Sequence, residues 1–115
     1  MQLKVYYLDD EAELCEIFSE YFSSPEIKII TFIDPVRAIE AAKENPPDVV
    51  FVDFRLPKTT GDQVAQSLDP HIPKYLLTGE LSPNTKYHFK KIISKPYNIV
   101  EIQEILKHHC SLKPT

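Results

Sequence analysis

Five residues in this chain could do chemistry together, and each stands at the end of a run of apolar residues. Asp9 and Asp10 follow Leu3–Leu8, Asp53 closes Val49–Val52, Thr78 closes Tyr75–Leu77, and Lys95 follows Ile92–Ser94. Carboxylates that converge repel and raise one another's pKa values. A divalent cation relieves that repulsion, and an all-oxygen donor set suits Mg²⁺ or Mn²⁺ better than zinc. A hydroxyl and an ammonium beside the metal complete a polar cup for a phosphoryl group. In such a cup Asp53 is the nucleophile, because a carboxylate needs no general base. It would attack phosphorus in line, the metal would neutralise the developing charge, and Lys95 and Thr78 would hold equatorial oxygens.

The apolar runs read as strands at Leu3–Leu8, Ile27–Phe32, Val49–Asp53, Lys74–Thr78 and Lys91–Ser94. Val-Val-Phe-Val before Asp53 has the composition of a strand buried on both faces, as in parallel sheets. Helical patterns lie between them. Leu14, Ile17, Phe18, Tyr21 and Phe22 form one apolar stripe, and Ser23-Ser24-Pro25 stops it. Asp34-Pro35 reads as an N-cap with Pro at the first helical position, opening a helix that carries Val36, Ala38, Ile39, Ala41 and Ala42. A short third helix follows at Gly61–Leu68. Ser82-Pro83 has the same form as Asp34-Pro35 and predicts a short fourth helix, about Pro83–Phe89. Ile99, Ile102, Ile105 and Leu106 mark the last helix. A strand-helix alternation repeated five times with short connections predicts a parallel sheet with helices on both faces. All strand ends then share one edge, where open α/β folds bind ligands. The expected fold class is α/β, a doubly wound five-stranded parallel sheet.

At 115 residues the chain is expected to be one domain, residues 1–115, with only Ser111–Thr115 following the last helix. That length suffices to bury roughly two-thirds of the unfolded surface. A net charge of −4 argues against direct nucleic-acid or membrane-surface binding. No apolar run reaches the length of a membrane span. Met-Gln-Leu-Lys lacks the pattern of a signal peptide, so the expected location is the cytoplasm. Cys15 and Cys110 read as reduced thiols at opposite helix ends, on the order of 10 Å apart along the helix axis, too far for a disulfide. His71, His88, His108 and His109 read as surface or capping residues. Lys86–Lys91 reads as a solvated helix end with core aromatics, in preference to a basic partner patch.

The motifs are Tyr-Leu-Asp-Asp-Glu at 7–11, Asp-Phe-Arg-Leu-Pro from Asp53 with Gly61 eight residues after it, Thr-Gly at 78–79, and Lys-Pro at 95–96. In this order, each at a strand end, they make the sequence resemble the receiver domain of two-component response regulators over essentially its whole length. The resemblance implies a flavodoxin-like receiver fold with strand order 2-1-3-4-5. It implies that Asp53 takes a phosphoryl group from a phosphohistidine on a sensor histidine kinase or histidine phosphotransfer protein. Asp10, Asp53 and the backbone carbonyl of Arg55 would bind Mg²⁺ directly, with Asp9 acting mainly through water. Lys95 would bond the phosphoryl group and the carboxylates, Thr78 would turn inward, and the Lys95–Pro96 peptide would be cis. The protein would not be a conventional enzyme, but would promote its own phosphorylation and dephosphorylation. It would signal through a downstream partner protein, as a monomer or weak homodimer.

Two features depart from the family pattern. Ile92 stands where the family usually carries an aromatic residue, three before the lysine, and the short span from Thr78 to Lys95 implies a stunted fourth helix. Both lie in the family's usual output surface. Arg55 and Glu80, two residues after the acceptor and the threonine, are expected to pair across the site mouth and slow dephosphorylation. The alternative reading is a receiver-fold binding module working without phosphorylation; Ile92 and the short helix favour it, and the intact acids, Thr78 and Lys95 oppose it. A hydrolase of the haloacid dehalogenase type wants a second Asp where Arg55 stands. A flavodoxin is disfavoured because the acidic loop after the first strand would repel flavin phosphate.

Overall fold

The three central apolar runs, Leu3–Leu8, Val49–Asp53 and Lys74–Thr78, become strands that bury alternate residues on two faces at once, and two less buried runs flank them. The computed structural model describes residues 2–114; Met1 and Thr115, the ends of the expected domain, lie outside the described residues. Strands β1 (Leu3–Leu8), β2 (Ile27–Phe32), β3 (Val49–Asp53), β6 (Lys74–Thr78) and β7 (Lys91–Ser94) pair in parallel, in the order β2-β1-β3-β6-β7. A small hairpin, β4 (Arg55–Leu56) and β5 (Thr59–Thr60), lies in the connection after β3. Leaving it aside, the sheet has the expected order 2-1-3-4-5.

The helices are α1 (Ala12–Phe22), α2 (Pro35–Glu44), α3 (Gly61–Gln66) and α4 (Ile99–Leu112). Val5 and Tyr7 of β1 join Phe51 of β3 in one apolar cluster with Phe18 and Phe22 of α1 and Ile102 and Leu106 of α4. Their neighbours Tyr6, Leu8, Val50 and Val52 join the opposite cluster with Ala38 and Ala42 of α2 and Val64 and Ala65 of α3. This is the two-residue alternation of a strand serving two cores. Asp34 caps α2 as expected, accepting a hydrogen bond from the Val36 N–H at 2.9 Å.

The expected fourth helix does not form: among the described residues, 79–90 cross from β6 to β7 without a helix. The reason is visible in where the segment's polar groups go. One carboxylate oxygen of Asp62, on α3, accepts the Thr85 hydroxyl at 2.7 Å and the N–H groups of Lys86 at 2.6 Å and Tyr87 at 2.9 Å. Those N–H groups are thereby spent on a side chain, and a helix this short is marginal without strong packing. Tyr87 and Phe89 turn inward onto the second core, while Lys86, His88 and Lys90 point out. Lys86–Lys90 is thus a non-helical strap with inward aromatics, not a helix end, and Lys91 opens β7.

Ser111 and Leu112 belong to α4 and do not trail it, and α3 stops at Gln66. His109 is buried on the inner face of α4, within hydrogen-bond distance of the Tyr75 hydroxyl at 2.8 Å. Cys15 is buried and Cys110 half-buried, and both are free. Among the described residues no helix is long and apolar enough to cross a membrane.

Candidate functional site

The parallel register brings four strand ends to one edge. Leu8 of β1 pairs with Val52, next to Asp53, Asp53 pairs with Leu77, and Thr78 pairs with Ser94, next to Lys95. Asp9, Asp10 and Asp53 each place a carboxylate oxygen within 4.8 Å of the others. Asp9 and Asp53 are buried, and Asp10 faces solvent. The Lys95 ammonium lies between the two buried acids, 2.8 Å from Asp9 Oδ2 and 3.0 Å from Asp53 Oδ1.

The charges are unbalanced. Burial pushes the Asp53 pKa up; the Lys95 hydrogen bond and charge oppose this, and Asp9 and Asp10 add to it. Burial alone would lower the Lys95 pKa, but its bonds and charge contacts with Asp9 and Asp53 outweigh burial and raise it. Three acids around one ammonium leave the cluster short of positive charge. Their oxygens form a donor set that suits a hard divalent cation.

The turn after Asp53 is held close. The Gly61 N–H bonds the Phe54 carbonyl at 3.0 Å. A Cβ at Gly61 would sit 2.8 Å from both the Asp53 carbonyl oxygen and a methyl of Leu76, so a side chain there would push the acceptor's own backbone. The Lys95–Pro96 peptide is cis, as expected. Arg55 and Glu80 do pair, fork to fork, with Nε to Oε2 at 2.7 Å and Nη2 to Oε1 at 3.3 Å. The pair is exposed and links the hairpin after β3 to the segment after β6.

Thr78 is buried at the same edge, but its hydroxyl accepts the Glu80 N–H at 3.0 Å and has no hydrogen bond to Asp53 or Lys95. Sequence reasoning missed Tyr7, whose hydroxyl donates to Asp9 Oδ2 at 3.1 Å. The signal was available, since Tyr7 lies two residues before Asp9 and so projects from the same face of the strand. Burial first, and the Asp9 charge second, hold the Tyr7 hydroxyl protonated. Cys15 also borders the site, its thiol 3.4 Å from the Asp9 carbonyl oxygen; burial pushes its pKa up to about 11, so it stays a thiol.

Residues 5–107 match the sequence pattern of the response regulator receiver domain. The chain belongs to that family. The receiver is 31% identical over 106 residues to the probable transcriptional regulatory protein TcrX of Mycobacterium tuberculosis, covering 85% of this chain and 45% of that protein. It is 25% identical over 115 residues to the autoinducer 2 sensor kinase/phosphatase LuxQ of Vibrio vulnificus, covering 92% of this chain and 13% of that one. The chain therefore spans less than half the length of these curated relatives. Among solved structures, the receiver superposes on the chemotaxis response regulator CheY4 of Vibrio cholerae with a TM-score of 0.80 at 24% identity, covering 95% of this chain and 99% of that one. The signal receiver domain of a putative Luxo repressor protein from Vibrio parahaemolyticus gives a TM-score of 0.84 at 17% identity, covering 96% and 92%. At these identities the likeness shows the fold.

Proposed function

We propose that this receiver accepts a phosphoryl group on Asp53 from a phosphohistidine of a sensor histidine kinase or histidine phosphotransfer protein, and signals by binding a downstream protein. The observation that carries the reading is the Lys95 ammonium shared by Asp9 and Asp53, inside a cluster of three converging carboxylates. Lys95 holds Asp53 Oδ1 and leaves Oδ2 for attack. In the transfer, Oδ2 forms a bond to phosphorus, and the P–N bond to the donor imidazole breaks. The imidazole leaves with the electron pair and takes up a proton. Asp10, Asp53 and the Arg55 carbonyl would hold Mg²⁺, with Asp9 beside them; when bound, the ion supplies charge neutralisation for the transferring group. Lys95 then turns from the carboxylates to a phosphoryl oxygen, and the Thr78 hydroxyl donates its proton to another. The reading takes residues 1–115 as the working unit, in the cytoplasm.

A second reading, a binding module that does not use phosphorylation, is favoured by the helix-free segment 79–90 and by half-exposed Ile92. Intact-mass spectrometry after incubation with acetyl phosphate and Mg²⁺ separates the two. The expected result is a gain of a single phosphoryl group by the parent and none by Asp53→Asn. No gain by the parent leaves the binding module as the better reading.

A further inference from the structure

Asp9, Asp10 and Asp53 are not equivalent. A carboxylate offers about four lone-pair directions. Asp9, fully buried, has three taken: Oδ1 accepts the Glu11 N–H at 3.0 Å, and Oδ2 accepts the Tyr7 hydroxyl at 3.1 Å and Lys95 Nζ at 2.8 Å. Asp53 has only Lys95 on Oδ1, and Asp10 has no side-chain hydrogen bond among the described residues. The Tyr7 hydroxyl is therefore the contact that, with Lys95, fills Asp9 Oδ2. It is fixed there by its surroundings: Tyr7 is fully buried, and its ring stacks on Phe18 with centroids 4.2 Å apart and planes 21° from parallel.

We infer that Tyr7 is a positioning residue: its hydroxyl, by occupying Asp9 Oδ2, keeps that oxygen from coordinating the metal and loosens the Asp9–Lys95 pair so that Lys95 can pass to the phosphoryl group. This rests on the phosphoacceptor reading. The hydroxyl donates to the same oxygen that holds Lys95 and draws charge from it, so the ammonium faces a weaker anion. The acid's one remaining lone pair is on Oδ1, beside the Glu11 N–H. Removing the hydroxyl has two consequences: Asp9 holds Lys95 harder, and Oδ2 opens to a cation.

Tyr7→Phe tests this, because it keeps the ring, its stacking and its volume. Without phosphodonor, its affinity for Mg²⁺, measured by calorimetric titration, is expected to rise about three- to tenfold, within the net range of one ordinary hydrogen bond. Its labelling rate with acetyl phosphate at saturating Mg²⁺ is expected to fall by a similar factor. A merely structural hydroxyl would leave Mg²⁺ affinity unchanged or weaker, and that result overturns the inference. The parent supplies a second measurement that needs no variant. Its buried hydroxyl proton, followed by NMR, should persist when Mg²⁺ saturates the site; its loss on Mg²⁺ addition overturns the assignment. If the parent labels normally while Mg²⁺ affinity is insensitive to Tyr7→Phe, only the role of Tyr7 falls. If the parent does not label at all, the acceptor reading falls and takes this inference with it.

Discussion

Two lysines hold two regions of this molecule, and they do so in opposite ways. Lys95 sits at the mouth of the acid cluster and bonds two carboxylates. Lys74 is buried at the start of β6 and bonds no acid: its ammonium donates to the Asp69 carbonyl at 2.7 Å, the Ile72 carbonyl at 2.9 Å and the Tyr87 hydroxyl at 3.0 Å. An ammonium has three protons, and here all three are spent on neutral oxygens. The partners of each lysine decide what its region can do. A cation held by anions can be drawn away by a stronger anion, so Lys95 is suited to move. A cation saturated by backbone carbonyls has no such competitor and would pay heavily for leaving them unbonded. Lys74 therefore fastens the strap at Tyr87, as Asp62 fastens it at Thr85–Tyr87.

Removing the fixed lysine should have the largest effect on the fold. Lys74→Met strands two carbonyls and a hydroxyl, and should destabilise the protein by about 3 kcal/mol in urea denaturation. Phosphoryl uptake per folded molecule should be unchanged. A loss of uptake with stability intact would mean the two regions are not separate.

Asp62→Ala should cost roughly 1 kcal/mol and change the acid limb of stability. Burial alone would raise the Asp62 pKa, but the Thr85 hydroxyl and the Tyr87 and Lys86 N–H groups together hold it below the usual carboxylate value. A carboxyl whose folded pKa is depressed stabilises the protein above its unfolded pKa and loses that contribution as pH falls through the folded pKa. The gap between parent and Asp62→Ala in urea denaturation should therefore be full at neutral pH and close in acid. A gap that persists in acid would mean the carboxylate's charge is not what fastens the strap.

The smallest effect on stability is expected from Arg55→Ala combined with Glu80→Ala. The pair is exposed, and such pairs contribute little to folding. It does bridge the hairpin beside Asp53 to the head of the strap, so its loss should admit water to the site. Dephosphorylation of the labelled protein should accelerate by roughly two- to threefold, a factor within reach of one exposed ion pair. An unchanged rate would confine the pair to a surface contact.

The acid cluster was legible in the sequence for the reason that makes it rigid. Each of its residues ends or follows an apolar run, and a parallel sheet leaves such residues only one edge to share. Asp9, Asp10, Asp53 and Lys95 do meet there. The strap was misread because Ser82-Pro83 is a sound start signal with nothing to sustain it. The alternation in Lys86-Tyr87-His88-Phe89-Lys90 has the two-residue period of extended chain, and it outweighs the start signal once Asp62 and Lys74 supply partners. Those partners lie on α3 and β6, where no local pattern announces them. His109 was open to a better reading, since it falls on the same helical stripe as Ile102 and Leu106. Tyr7 needed only the strand's alternation carried one step past the apolar run.

One consequence of the strap concerns engineering. Between the Glu80 fastening and the Thr85 fastening the chain runs through Leu81, whose side chain is wholly exposed, to Asn84. Its neighbours on both sides are pinned, so the length of this stretch is decoupled from the rest of the fold. Loop-closure cost grows slowly with added residues, and exposed tips are where insertions are tolerated. Leu81–Asn84 is thus a natural splice point, where an epitope or a fluorescent label could be carried close to the site while both lysines keep their places.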